Sequence, residues 1–492
     1  MNLNRNTNNK IKDLVFIVPF ALLLIVVNIL RIINIPITHD ETGYRANESY
    51  FDLIFTKIPA ANNHILNSLI RKFFIENVSD TLFFIRVGSL AAQVVFLIYA
   101  YLLCKKLFKE RLWVLLSFFI FNTVSPFLFD FWGLSRGYGL GFCFMTASVY
   151  YLVSYHLSGK FRLFVFSFLA AALTIYSNYA FMNYYFALCG VVVLMRALFK
   201  DGLFSKQLFG KEILFAGGLS ILLAALIAHN LIVLHGGGEL VFLGHNGFIE
   251  DTVKSLVDWN LFMPDKDVWV GPAIKIASII IVSGCALYWL LLFVRHKVGR
   301  VVIDARQQIS FIFLLLLLLP VLSLFLQNVL LGIPYLVDRT ALFFILLFIF
   351  NLIYIIYTTT KLSPRVGLIA VVVIAIIVGG NFFVNMNISS TRMWWYDAED
   401  IVVLNRVVAL HGDRQDKIRL RADGFHIPAL KYDIEHYYKG KFYAPEETSS
   451  PLPQDSLADN YFIWVDNKDT LPAIYKKDIA ACGGGCVLYH KN

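Results

Sequence analysis

Apolar runs of about 18 residues or more recur from residue 14 to residue 386, separated by short polar stretches that carry Lys and Arg. Each run is long enough for one helix across a hydrocarbon core of roughly 30 Å. The pattern predicts eleven spans, at 14–33, 81–103, 112–131, 138–157, 163–177, 179–197, 213–234, 272–294, 309–327, 340–359 and 366–386. Residues 163–198 form one apolar stretch of 36 residues, charged only at Arg196 near its end. As a single helix it would be about 54 Å long, well beyond the bilayer, so the reading divides it at Ser177-Asn178-Tyr179. The ten-residue alternating strands of a membrane barrel are absent.

The loop at 34–80 has its own pattern. Ile65, Leu66, Leu69, Ile70, Phe73 and Phe74 repeat at helical spacing, and Tyr44, Tyr50, Phe51, Ile54 and Phe55 do so less regularly. Two amphipathic helices on the membrane surface are predicted there. After residue 386 the pattern changes to a soluble one. Residues 461–465 and 486–489 read as short strands and 397–410 as a helix. The predicted organisation is a polytopic, otherwise all-α transmembrane domain over 1–386 and a small extracytoplasmic α/β domain over 387–492.

Composition agrees, with 58% hydrophobic and 16% charged residues, against about a quarter charged in soluble domains. A net charge of +9 is of the sign that nucleic acid attracts, but the basic residues fall in clusters between apolar runs. They are Lys105/Lys106/Lys109/Arg111, Lys160/Arg162, Arg196/Lys200/Lys206/Lys211, Arg295/Lys297/Arg300/Arg306 and Lys361/Arg365. Only a hairpin at Asn178 keeps all of them on one side, which the positive-inside rule makes the cytoplasm. The run at 14–33 is too long for a signal-peptide core and is followed by no small-residue cleavage site, so it reads as a retained first helix. The protein is therefore expected in the cell inner membrane, with the 34–80 loop, the turns near Arg136, Asn178 and Arg339, the 235–270 loop and the C-terminal domain on the periplasmic side.

The polar residues of that face are the candidates for chemistry. Asp40-Glu41 stands where the first helix ends, a poor place for a membrane anchor because anionic side chains gain nothing at the interface; the plainer reading is a solvated loop, or an N-cap with Asp40 capping a 41–57 helix. Asn62-Asn63-His64-Ile65-Leu66-Asn67 opens the second surface helix, where the Asn residues could cap and His64 could be an ordinary surface histidine. Ser135-Arg136-Gly137-Tyr138-Gly139 lies in a turn too short to need an arginine, unless Arg136 is a snorkelling anchor. Pro334-Tyr335-Leu336-Val337-Asp338-Arg339 lies at a helix entrance, where Asp338 could simply neutralise Arg339. Two arginines on the face poor in basic residues imply an anionic partner such as a lipid phosphate.

Other features are less informative. Cys104, Cys143, Cys189 and Cys285 are isolated in or beside apolar runs and read as packing residues. Cys482 and Cys486 flank Gly483-Gly484-Gly485 in the extracytoplasmic domain, where an oxidising compartment predicts a disulfide. Gly236-Gly237-Gly238 lacks the Lys-Ser/Thr of a nucleotide phosphate loop. No metal set is assigned, since Asp40, Glu41 and His64 do not form one by spacing. No cofactor follows from the sequence, and a divalent metal stays open.

Taken together, Asp40-Glu41 after the first helix, the polar motif at His64 and the Arg136-Gly137-Tyr138 turn resemble the GT-C superfamily of membrane glycosyltransferases, in particular its protein O-mannosyltransferase and lipid A aminoarabinose transferase branch. In place of the His-Pro-Pro form of many members this chain has Asn63-His64-Ile65-Leu66. The resemblance implies transfer of a sugar from a polyprenyl-phosphate carrier to a lipid, glycan or protein acceptor. Asp40 would be general base, Glu41 would serve orientation or acceptor binding beside it, and Arg136 and Arg339 would hold the donor phosphate. His64, Tyr138, Asn178 and Tyr335 would contact substrate. The phosphate is a good leaving group, so one carboxylate suffices for a single inverting displacement. The rival readings are a transporter or flippase of lipid-linked sugars, expected to carry ionisable residues at mid-membrane, and an oligosaccharide polymerase or ligase. Partners would be the lipid-linked donor, membrane lipids and the acceptor, with no nucleic acid.

Overall fold

The computed structural model describes residues 2–42, 48–55, 63–199, 210–237, 244–261, 270–299, 301–360, 363–422, 424, 426–447, 460–464, 475–478 and 486–491. Cys482 and the 483–485 glycines lie outside them, as do Gly43–Asn47, Asn62 and Gly238. The chain forms two compact units. The first comprises 1–26, 48–79 and 86–386, the second 27–47, 80–85 and 387–492.

Among the described residues, nine helices are long and apolar enough to cross a membrane: Asp13–Asn34, Leu82–Leu107, Gly137–Ser158, Tyr179–Phe199, Lys211–Gly236, Val270–Lys297, Ala305–Leu331, Asp338–Thr359 and Pro364–Asn385. Arg111–Thr123 and Phe161–Ser177 are shorter apolar helices. The protein is a multi-pass membrane protein. Its helix ends follow local chemistry. Asp304 Oδ1 accepts from Gln307 N (2.7 Å) while Asp304 N donates to Gln307 Oε1 (2.9 Å), a reciprocal cap. Gly332, at φ 66°, closes the same helix, in the left-handed conformation that only glycine adopts without cost.

The division at Asn178 occurs as predicted, with Phe161–Ser177 ending there and a short turn leading into Met182–Phe199. Asn178 Oδ1 accepts from Ala180 N (2.8 Å) and so caps that turn. The expected span at 112–131 is not one helix. Pro126 has no N–H to continue a ladder; Arg111–Thr123 ends before it and Ser125 caps a new turn, Pro126–Asp130, by accepting from Leu128 N (2.8 Å). In the 34–80 loop, Ile65–Asn77 is helical as the periodicity predicts. Among the described residues the less regular segment gives Tyr50–Ile54 and, separately, the turn His39–Thr42.

The second unit carries a mixed sheet. Strands β1 (Leu420–Ala422), β2 (Glu446–Glu447), β3 (Asn460–Trp464), β4 (Tyr475–Asp478) and β5 (Cys486–Lys491) lie in the order β2-β1-β3-β5-β4. β1 pairs parallel to β2 and β3, and β5 antiparallel to β3 and β4. Helices Asp400–His411 and Ile427–Tyr437 place Val403, Leu404, Val407, Leu430 and Ile434 against Ile418, Leu420 and Leu488 in one buried core.

Candidate functional site

In the first unit the structure brings together three segments far apart in sequence. His64 precedes the Ile65–Asn77 helix, and its ring meets that of Tyr138 edge to face at 5.3 Å. One turn on, Asn67 Nδ2 donates to Ser135 O (3.0 Å) and lies 3.3 Å from Ser135 Oγ. Asn63 Nδ2 donates to Leu53 O (2.9 Å) and its Oδ1 accepts from Ser68 Oγ (2.9 Å), joining the two loop helices. Gly137 packs against the Ser177 carbonyl and 2.7 Å from His64 Cβ, measured from where its own Cβ would stand. Thus His64, the Arg136–Tyr138 turn and the Ser177–Asn178 turn share one place, and His64, Arg136, Tyr138 and Asn178 are all buried there. Arg71, also buried, lies on the same face of its helix as Asn67, four residues on. Nothing in the sequence marks it, because Arg71-Lys72 is a basic pair of the kind that ordinarily edges an amphipathic helix.

The Tyr335–Arg339 segment is held differently. Tyr335 exchanges backbone hydrogen bonds with Gly244 (both 2.8 Å), and Leu336 O accepts from Thr252 Oγ1 (2.6 Å). Asp338 has φ 49°, a conformation rare for residues with a side chain. It is fixed from two sides, its N donating to Ser255 Oγ (2.9 Å) and its Oδ1 accepting from Trp259 Nε1 (2.7 Å). Asp338 therefore engages Trp259, not Arg339 alone. The Trp259 ring stacks on Phe127 (5.3 Å), Phe127 meets Phe131 (5.6 Å) and Phe131 meets Tyr138 (4.6 Å). Continuous aromatic contact thus links the turn that carries Arg339 to the one that carries Arg136.

Asn260, next in sequence to Trp259, lines a cavity of about 620 Å³ whose walls are otherwise mostly apolar, including Phe248, Leu256, Leu317, Phe348 and Val378. Asn260 and Asn381 are among its few polar groups, and Asn381 Nδ2 donates to Asn260 O (3.1 Å).

Asp40 and Glu41 belong to the second unit and are buried, 6% and 1% exposed. They lie within the helical turn His39–Thr42; the expected 41–57 helix that Asp40 would cap runs through residues outside the described ones. Glu41 Oε2 accepts from Thr38 N (3.0 Å) and Thr38 Oγ1 (3.2 Å), closing the turn. Asp40 Oδ1 lies 3.2 Å from His39 Nε2, and the other ring nitrogen of His39 is hydrogen-bonded to Tyr396 OH (3.1 Å). With Asp40 ionised, Nε2 carries the proton and Nδ1 accepts from the tyrosine. The turn is anchored by His39 N, which donates to Asp397 Oδ2 (2.8 Å). Burial, and then the charge of Asp400, push the Asp397 carboxyl well above the usual carboxylate range; Asp40 and Glu41 act in the same direction.

No protein-family model matches the chain, and no protein of curated function does. Among solved structures the chain is similar to that of the Archaeoglobus fulgidus oligosaccharyltransferase complex with zinc and sulfate, with 10% identity and a TM-score of 0.41, over 90% of this chain and 67% of that one.

Proposed function

We infer that the protein is a membrane glycosyltransferase of the GT-C kind that takes a sugar from a polyprenyl-phosphate carrier. The observation that carries this reading is the apolar cavity at Asn260, next in sequence to Trp259, whose indole holds the turn bearing Arg339. A lipid-linked donor needs an apolar slot for its isoprenoid chain and a fixed cation for its phosphate. The cavity falls within the roughly 300–1,000 Å³ of ligand sites.

In the proposed mechanism Arg339 and Arg136 hold the donor phosphate and neutralise charge as it departs. His64, Tyr138, Asn178 and Tyr335 contact substrate. Asp40 takes the proton of the acceptor hydroxyl, and Glu41 shapes the turn that presents it. The anomeric carbon–oxygen bond to phosphate breaks as the acceptor oxygen bonds to that carbon, with inversion. The reaction is assigned to the periplasmic face of the inner membrane, with 387–492 as an extracytoplasmic domain.

Charge placement favours this over a transporter. In the nine long apolar helices, every Asp, Glu, Lys and Arg lies within about two turns of a helix end. A proton- or ion-coupled pathway would need such groups near mid-membrane. Mass spectrometry of lipid-linked sugars and outer-surface glycans in cells with and without the protein tests the reading. Loss of one sugar from an acceptor with build-up of its lipid-linked form is expected. Carrier-linked sugar retained on the cytoplasmic side would point to a flippase instead.

Arg339→Lys is expected to lower kcat/KM for donor about tenfold to a hundredfold with an unchanged melting profile, because a guanidinium offers paired donors to phosphate oxygens and an ammonium a single point charge. Donor titrations against purified protein measure it. Unaltered donor kinetics would leave Arg339 as an interfacial anchor.

A further inference from the structure

The second unit contains a cluster that no part of the proposed reaction uses. Asp397, Asp400 and His426 are 1%, 0% and 0% exposed, and one ligand atom from each lies within 4.8 Å of the others. Asp400 opens the helix Asp400–His411, Asp397 lies in the turn before it, and His426 immediately precedes the helix Ile427–Tyr437. Three elements of the unit's core therefore direct their polar ends to one point.

The chemistry of that point is unusual for a protein interior. Asp397 Oδ2 accepts from His39 N, but its Oδ1 is buried with no hydrogen-bond partner among the described residues. A buried carboxylate oxygen in that state is costly and calls for a counter-group. His426 Nδ1 lies 2.7 Å from Asp400 Oδ1, and Asp40 and Glu41 add to the negative potential at Asp397. Arg31 and Arg392 are also buried in this unit; Arg31 donates to the carbonyls of Asn387 and Ser390.

We propose that Asp397, Asp400 and His426 bind a first-row divalent cation, with zinc the best fit and manganese the alternative. An ion about 2.1 Å from each ligand holds its ligands within about 4.2 Å of one another, so rotamer-scale adjustment closes the set. The imidazole disfavours calcium and magnesium, which take oxygen ligands. Three protein ligands leave coordination positions for water or an anionic oxygen. The ion's consequence for the fold follows from Asp397, whose second oxygen holds His39 N. The ion would fix the helix pair of this unit and, through Asp397, the turn that carries Asp40.

The test uses untagged, full-length protein purified in detergent without chelator, and reads metal content, so it stands apart from the transfer reaction. Elemental analysis is expected to give about one equivalent of zinc or manganese per chain. Chelation should lower the melting temperature, and added zinc, but not magnesium, should restore it. Asp397→Asn combined with His426→Gln keeps the shapes of both side chains and should abolish binding and the zinc-dependent shift. His436→Gln, on the same helix as His426 but half-buried and stacked on Tyr432, should leave both unchanged. Absence of bound metal together with a titration showing no zinc or manganese binding overturns the proposal. So does a double variant that binds as much as the parent. Should the double variant fail to fold, the metal content and chelator response of the parent protein decide alone.

Discussion

Replacing Asp40 by Asn is expected to lower turnover about 10²–10⁴-fold with donor affinity almost unchanged. An acceptor hydroxyl is a weak nucleophile, and a positioned base contributes a factor of that order. Asp40 has the qualities of such a base. It is buried, its Oδ1 is fixed by His39 Nε2 at 3.2 Å, and His39 is in turn oriented by Tyr396. Asn is nearly isosteric and retains an oxygen acceptor toward His39, so the turn should persist while basicity is lost. Glu41→Gln should be milder. Gln keeps an oxygen that can accept from Thr38 N and Oγ1, the contacts that close the turn. The measurement is transfer from a synthetic polyprenyl-phosphate sugar by purified variants whose melting profiles match the parent. A fall in kcat without a rise in donor KM marks an interaction made in the transition state. Parent turnover in Asp40→Asn would remove the base from the mechanism, and loss confined to Glu41→Gln would exchange the two roles.

Much of the membrane unit could be read from period and length alone, because a hydrophobic run of span length has few other solutions in lipid. The division at Ser177-Asn178-Tyr179 came from length and charge together, and Asn178 performs it as a cap. The failure at 112–131 had a local sign in Ser125-Pro126, where Ser125 caps a new turn on Leu128 N; proline alone does not end a helix here, since Pro320 lies inside Ala305–Leu331. In the second unit β3 and β5 were visible as apolar strands. β1, β2 and β4 were not, because two to four residues carry no period; β1 also takes its partners from 25 and 40 residues further along the chain.

The candidate site divides along the same line. His64, Arg136 and Asn178 stood out singly as polar residues in short turns, but nothing local to those turns says that they meet. That information lies in the packing of Gly137 on Ser177 and of Asn67 on Ser135. Asp397, Asp400 and His426 escaped for a related reason. Only the first two are close in sequence, with none of the spacing of a metal motif, and the third arrives when the Ile427–Tyr437 helix folds onto the first.

The packing of Gly137 yields the sharpest expectation for the fold. A Cβ added there would overlap the Ser177 carbonyl oxygen and stand 2.7 Å from His64 Cβ. The main obstacle is backbone, which cannot rotate aside as a side chain can. Gly137→Ala must therefore push the start of the Gly137–Ser158 helix away from the Ser177–Asn178 turn. Overpacking in a filled core costs about 1–3 kcal/mol, occasionally more, and the rigid neighbour puts this case at or beyond the upper end. Two other glycines calibrate it. At Gly141 the added atom would meet the Phe181 ring, 2.6 Å from its Cζ, a side chain able to shift, so Gly141→Ala should cost less. At Gly284, inside the helix Val270–Lys297, nothing lies within 4 Å, so Gly284→Ala should be neutral or stabilising by up to about 1 kcal/mol through helix propensity. Melting midpoints in detergent should rank Gly284→Ala highest, then Gly141→Ala, then Gly137→Ala. Because His64 and Arg136 flank the same contact, Gly137→Ala should also lose turnover at temperatures where it is still folded. A Gly137→Ala protein with the parent's midpoint and turnover would show that these turns do not pack as described.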